Sequence, residues 1–75
     1  MTVKRSPVKR SSLVKSMGYD KETRTLEIEF LGGQVYRYSN VGPKLYRACR
    51  RARSVGGYFN RYIKGSVEIP YERVR

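Results

Sequence analysis

At 75 residues the chain suffices for one domain with a thin core and is too short for two. Its 17 Lys and Arg against 6 Asp and Glu give a formal net charge of +11, a field that draws polyanions: nucleic acid first, then anionic membrane or an acidic protein surface. With no His and one Cys, an internal disulfide, a Ser-His or Cys-His catalytic pair and a His-based metal site are all excluded.

Residues 1–12, MTVKRSPVKRSS, read as a flexible basic arm, because they hold too little apolar surface to offset the entropy of ordering. Val3, Lys4, Arg5, Pro7, Val8, Lys9 and Arg10 are its candidate partner-docking residues. Residues 13–75 form the single domain. Leu13 to Tyr19 is a first strand with imperfect alternation, Leu13, Met17 and Tyr19 on one parity and Val14 on the other. Asp20-Lys21-Glu22 is a turn. Thr23 to Phe30 alternates cleanly, Leu26, Ile28 and Phe30 inward and Thr25, Glu27 and Glu29 toward solvent, where Arg24 or Arg37 can pair with the acids. Gly32-Gly33 suits a tight hairpin, and Gln34 to Ser39 returns as the third strand.

Pro43 to Arg53 reads as an amphipathic helix, with Pro43 in its first turn and Gly56-Gly57 as its stop. Leu45, Ala48, Cys49 and Ala52 make its apolar stripe. Lys44, Arg47, Arg50, Arg51 and Arg53 fill the rest of its circumference, with Tyr46 beside Arg50 and Arg53. From Phe30 to Val67 the chain carries eight Lys or Arg and no acid. Gly57 to Lys64 forms one or two further helical turns that close the core through Tyr58 or Phe59 with Tyr62 and Ile63, leaving Arg61 and Lys64 outward. The tail after Ser66 contains Pro70 and is extended at best, with an edge strand through Val67 and Ile69. The expected fold is α+β, a small three-stranded antiparallel sheet followed by one basic amphipathic helix and a short second helix.

A series of short motifs carries a family resemblance. It begins at Ser11 or Ser12 and runs to Gly18-Tyr19-Asp20, then Leu26-Glu27-Ile28-Glu29-Phe30 and Tyr36-Arg37-Tyr38. It continues through Ala52, Ser54 and Gly56 to Tyr58-Phe59-Asn60 and Ile63-Lys64. In this order they resemble the KTSC domain, a short bacterial module named from the C-terminus of certain lysyl-tRNA synthetases, which also occurs alone. Its hallmark Tyr-x-Tyr is matched by Tyr36 and Tyr38. The resemblance spans Ser11 to Arg73. The chain departs from it at Val41-Gly42-Pro43, where the family has Val-Pro, and at Cys49-Arg50, where the family tends to have paired Leu. Through its tRNA-synthetase setting, the resemblance implies RNA as a partner.

No phosphate loop or carboxylate cluster with ligand spacing supports catalysis or a metal, so neither an enzymatic activity nor a cofactor is expected. Cys49, on the apolar stripe, reads as a buried structural thiol. Tyr36 and Tyr38 fit two roles, filling a small core or stacking bases. The chemistry favours a non-catalytic module that binds RNA through Lys44, Tyr46, Arg47, Arg50, Arg51, Arg53, Arg61 and Lys64, as an accessory or regulator of an RNA-handling machine. The alternative, by analogy with small basic phage proteins, is a transcription regulator that docks on host RNA polymerase, or on another acidic protein surface, through the arm. The absence of a signal peptide or long apolar run makes the cytoplasm the expected location (that of a bacterial host if phage-encoded), with no membrane partner, and a monomer is the expected state.

Overall fold

The computed structural model describes residues 5–8 and 13–75. Among them, five strands form one antiparallel sheet in chain order: β1 (Ser6–Pro7), β2 (Val14–Asp20), β3 (Thr25–Phe30), β4 (Val35–Tyr38) and β5 (Tyr71–Arg73). Two helices, α1 (Pro43–Arg51) and α2 (Val55–Tyr62), fall between β4 and β5. The architecture is α+β, but the expected three-stranded sheet is corrected to five. Both additional strands involve a proline, one within the strand and one just before it. Pro7 is tolerated in β1 because an edge strand can leave one side unpaired, and Pro70 immediately precedes β5.

The part of the expected flexible arm that the structure describes runs along the sheet. Ser6 pairs with Met17 and Pro7 with Ser16, and the Val8 N–H donates to the Lys15 carbonyl at 3.0 Å. The far edge also departs from expectation. Val67 is almost fully exposed and Ile69 is buried in a turn closed by its N–H to the Ser66 carbonyl; the strand begins two residues later. Tyr36, Arg37 and Tyr38 face Arg73, Glu72 and Tyr71 across the β4–β5 ladder.

Imperfect alternation in β2 has a local cause. The register shifts between Val14 and Ser16, so an irregularity at Lys15 brings both Val14 and Met17 into the core despite their odd spacing. In the β3–β4 turn, Gly33 takes a φ of 95°, and the Phe30 and Gln34 backbones close the hairpin at 2.9 Å. Asp20 accepts the Glu22 N–H at 3.0 Å in the β2–β3 turn, where Arg24 adopts a positive φ.

Glu27 does not face solvent. It is 4% exposed, and its carboxylate is held between the guanidinium groups of Arg5 and Arg37, the latter at 2.9 Å. Arg5, immediately before β1, covers it, which the pattern of β3 alone does not reveal. Glu29, on the same face, accepts from the Ser16 hydroxyl at 2.9 Å and from Arg75 at 3.0 Å. The Ser16 hydrogen bond, helped by the surrounding cations, holds its carboxyl below the usual range.

The opposite face carries the core. Val14, Met17, Leu26 and Ile28 from the sheet meet Cys49 of α1, Phe59 of α2 and Ile63 just beyond it, all fully buried. Burying a side chain as large as Phe59 or Ile63 contributes about 1.5–3 kcal/mol. Tyr62, expected to help close the core, is 47% exposed. The first helix ends at Arg51, where Ala52 turns extended (ψ 149°), so Arg53 lies in the interhelical turn. Gly56 and Gly57 sit inside α2 and stop nothing. Ser54 starts α2 instead, its hydroxyl accepting the Gly57 N–H at 3.1 Å, and this cap wins over the glycine pair as the local boundary.

Candidate nucleic-acid interface

Pro43 at N1 and Gly42 in the extended conformation launch α1 so that Cys49 points inward, with Leu45 and Tyr46 half-buried beside it. The packed stripe is thus rotated from the expected one: Ala48 is exposed, and Tyr46 takes a place against the sheet. The remaining circumference is cationic. Lys44, Arg47, Arg50 and Arg51 are exposed on α1, Arg53 is exposed in the turn that follows, and Arg61 and Lys64 are exposed on α2 and just after it. Among the described residues, the ion pairs join Arg5, Arg37 and Arg75 to Glu27 and Glu29 on the other face of the sheet, and none involves these seven cations. The helices and the turns after them thus carry cations that no carboxylate of the described residues neutralises by an ion pair.

Of the candidate aromatics, Tyr46 is engaged in packing. Its ring stacks on Tyr19 with centroids 4.5 Å apart and planes 9° from parallel, so one of its faces is already covered. The Tyr19 hydroxyl donates to the Val41 carbonyl at 2.5 Å, which ties β2 to the entry of α1, and burial raises its phenol above the ordinary value. Tyr58 and Tyr62, one helical turn apart on α2, have centroids 4.5 Å apart, and the Arg61 guanidinium lies 5.5 Å from the Tyr62 ring centre. Asn60 is exposed, while Phe59 points into the core.

The Tyr-x-Tyr pair divides its roles. Tyr38 is 4% exposed and meets Phe59 edge-to-face at 5.1 Å; burial, with Tyr36 and Tyr71 adding to it, pushes its phenol up to about 12. Tyr36 is half-buried, between Phe30 at 5.6 Å and Tyr71 at 5.8 Å. Tyr71 and Phe30 belong to this aromatic cluster and escaped the sequence reading of the site. The signal available for Tyr71 was its place after Pro70 in an alternating tripeptide too short to show a period.

Arg5 is committed to Glu27 and Val8 packs against the core, whereas Pro7 is exposed; Val3, Lys4, Lys9 and Arg10 lie outside the described residues. Cys49 is fully buried, its thiol donating to the Val55 carbonyl at 3.8 Å, and burial pushes it up to about 11, which disfavours the nucleophilic thiolate. Among the described residues, no cluster of His, Cys, Asp or Glu is arranged to hold a metal ion, and no helix is long and apolar enough to cross a membrane.

Comparison with known proteins identifies the family and the fold. The KTSC domain family model matches residues 10–66. An uncharacterised protein of Stutzerimonas stutzeri is 44% identical over 55 residues, 73% of this chain and 78% of that protein. A lysine–tRNA ligase of Nostoc punctiforme is 43% identical over 58 residues, which cover 77% of this chain and 10% of the ligase. The crystal structure of a KTSC domain protein from Yersinia pestis superposes with a TM-score of 0.87 at 33% identity, covering 99% of this chain and all of that one.

Proposed function

Since the chain belongs to the KTSC domain family, members of which are similar to a small part of lysine–tRNA ligases, we propose that it is a non-catalytic RNA-binding module serving an RNA-handling machine. The observation that carries this reading is the cationic face of Lys44, Arg47, Arg50, Arg51 and Arg53, continued by Arg61 and Lys64, in a stretch of chain without a single acid. Exposed guanidinium and ammonium groups at helical spacing suit a phosphate backbone, and binding of this kind is governed by counterion release rather than by base identity. Docking on RNA polymerase through the arm ranks second, because Arg5 and Val8 are engaged with the sheet rather than free for a partner.

Reversing two charges tests the face. The double variant R47E/R51E should bind a short single-stranded RNA roughly tenfold or more weakly whatever its sequence, with the salt slope reduced by about 1.4, two phosphate contacts' worth. Unchanged affinity and slope would remove the α1 face as the contact surface.

A further inference from the structure

We propose that a cleft between the β3–β4 turn and the turn after α2 receives an unpaired base of single-stranded RNA. The inference rests on the RNA-binding reading and supplies what the helix face lacks, a means of preferring single strands. The cleft is about 630 Å³, and Phe30, Tyr36, Tyr38, Tyr71, Lys64 and Arg73 line it. Its volume lies within the range of small-molecule sites, roughly 300–1,000 Å³.

The ladder explains why the side chains converge. Tyr36 is the register partner of Arg73 and Tyr38 that of Tyr71, so all four project from one face of the sheet. This is the face the helices cover elsewhere; here the covering ends at Lys64 and Gly65, leaving the aromatic surface open. Tyr71 is 61% exposed, and its ring stands 5.8 Å from Tyr36 and 5.6 Å from Tyr38, tilted 32° to each. Tyr38 is fixed by Phe59 behind it, which makes the cluster a packed wall whose most exposed ring is Tyr71.

Charge selects the occupant. Among the described residues no carboxylate lines the cleft, whereas Lys64 and Arg73 are exposed cations on it, placed to hold the phosphates flanking a base. Lys64 and Arg61, three residues apart, are both exposed, so the end of α2 brings positive charge to the cleft. Bases in a duplex are stacked and paired and cannot enter, but every unpaired base offers a π-face to a tyrosine.

The test compares three probes by fluorescence anisotropy: a short oligoadenylate, an abasic ribose-phosphate strand of equal length, and an RNA duplex. Wild-type protein should prefer oligoadenylate over the abasic strand by about tenfold, the order of one stacked base. Tyr71→Ala should erase that preference while leaving abasic and duplex binding unchanged, and Tyr71→Phe should retain it. Equal wild-type binding of oligoadenylate and abasic strand overturns the proposal, as does a Tyr71→Ala variant that keeps the preference or weakens all three probes alike. R47E/R51E separates the two readings. If it weakens all three probes while Tyr71→Ala changes nothing, the helix face stands and the cleft falls. If it changes nothing while Tyr71→Ala erases the preference, the cleft stands and the helix face falls.

Discussion

Tyr38 concentrates what a single residue contributes here. Its parity on β4 is readable from the Tyr-x-Tyr spacing, but whether the ring fills the core or faces a ligand depends on Phe59, distant in sequence and brought against it by α2. The consequence for stability has a definite sign. The phenol titrates near 10 when unfolded and near 12 when folded, so its stabilising contribution is complete below pH 10 and disappears as pH rises from 10 to 12. Thermal melts over that interval should fall more steeply for the wild type than for Tyr38→Phe, and parallel slopes would show that the ring is hydrated. Glu27 is the contrasting residue. Its outward parity is correctly read from β3, yet outward does not mean solvated, because Arg5 and Arg37 close over it.

Short elements account for most of the difference between the expected and observed folds. β1 has two residues and β5 has three, too few for any periodicity to appear, and each exists because an already formed neighbour offers its edge. For β1 the Arg5–Glu27–Arg37 contact supplies the anchor. Glu27→Gln keeps the shape and removes the charge, and should cost about 2 kcal/mol in urea unfolding, the scale of a hydrogen bond to a charged group. Hydrogen exchange at the Val8 amide should accelerate in the same variant, since its bond to the Lys15 carbonyl reports β1 docking. Unchanged exchange at Val8 would mean that the strand pairs without the clasp. The helices teach a related lesson. Gly56-Gly57 is a sound stop signal, but Ser54 is a sound start signal two residues earlier, and the two helices pack only if the start prevails, with the Cys49 thiol on the Val55 carbonyl.

At the scale of the whole molecule, the ion pairs of the described residues lie on one face of the sheet, while a bare set of seven cations without an ion pair crowds the two helices and the turns that follow them. Self-repulsion of the bare set opposes folding and is screened over about 10 Å at 0.1 M salt. Raising salt from low to near-molar sodium chloride should therefore raise Tm by about 4–8 °C, equivalent to about 1 kcal/mol in a domain of this size. R47E/R51E, which lowers the net charge by four, should show a smaller rise. A Tm that falls with salt would place the balance with the three ion pairs instead.

The sequence by itself determined the α+β class, the three central strands, both helical segments and the cations of the helix face, because these depend on local periodicity and charge. Tertiary structure decided the two outer strands, the burial of Glu27, the packing of Tyr46 on Tyr19 and the opening of the tyrosine cleft. Each of these is a contact between segments distant in the chain: Arg5 lies 22 residues from Glu27, and Tyr71 reaches Tyr38 through the β4–β5 ladder. Hydrophobic pattern specifies which face of an element turns inward, whereas edge pairing and the extent of helical cover depend on where the chain ends up in space.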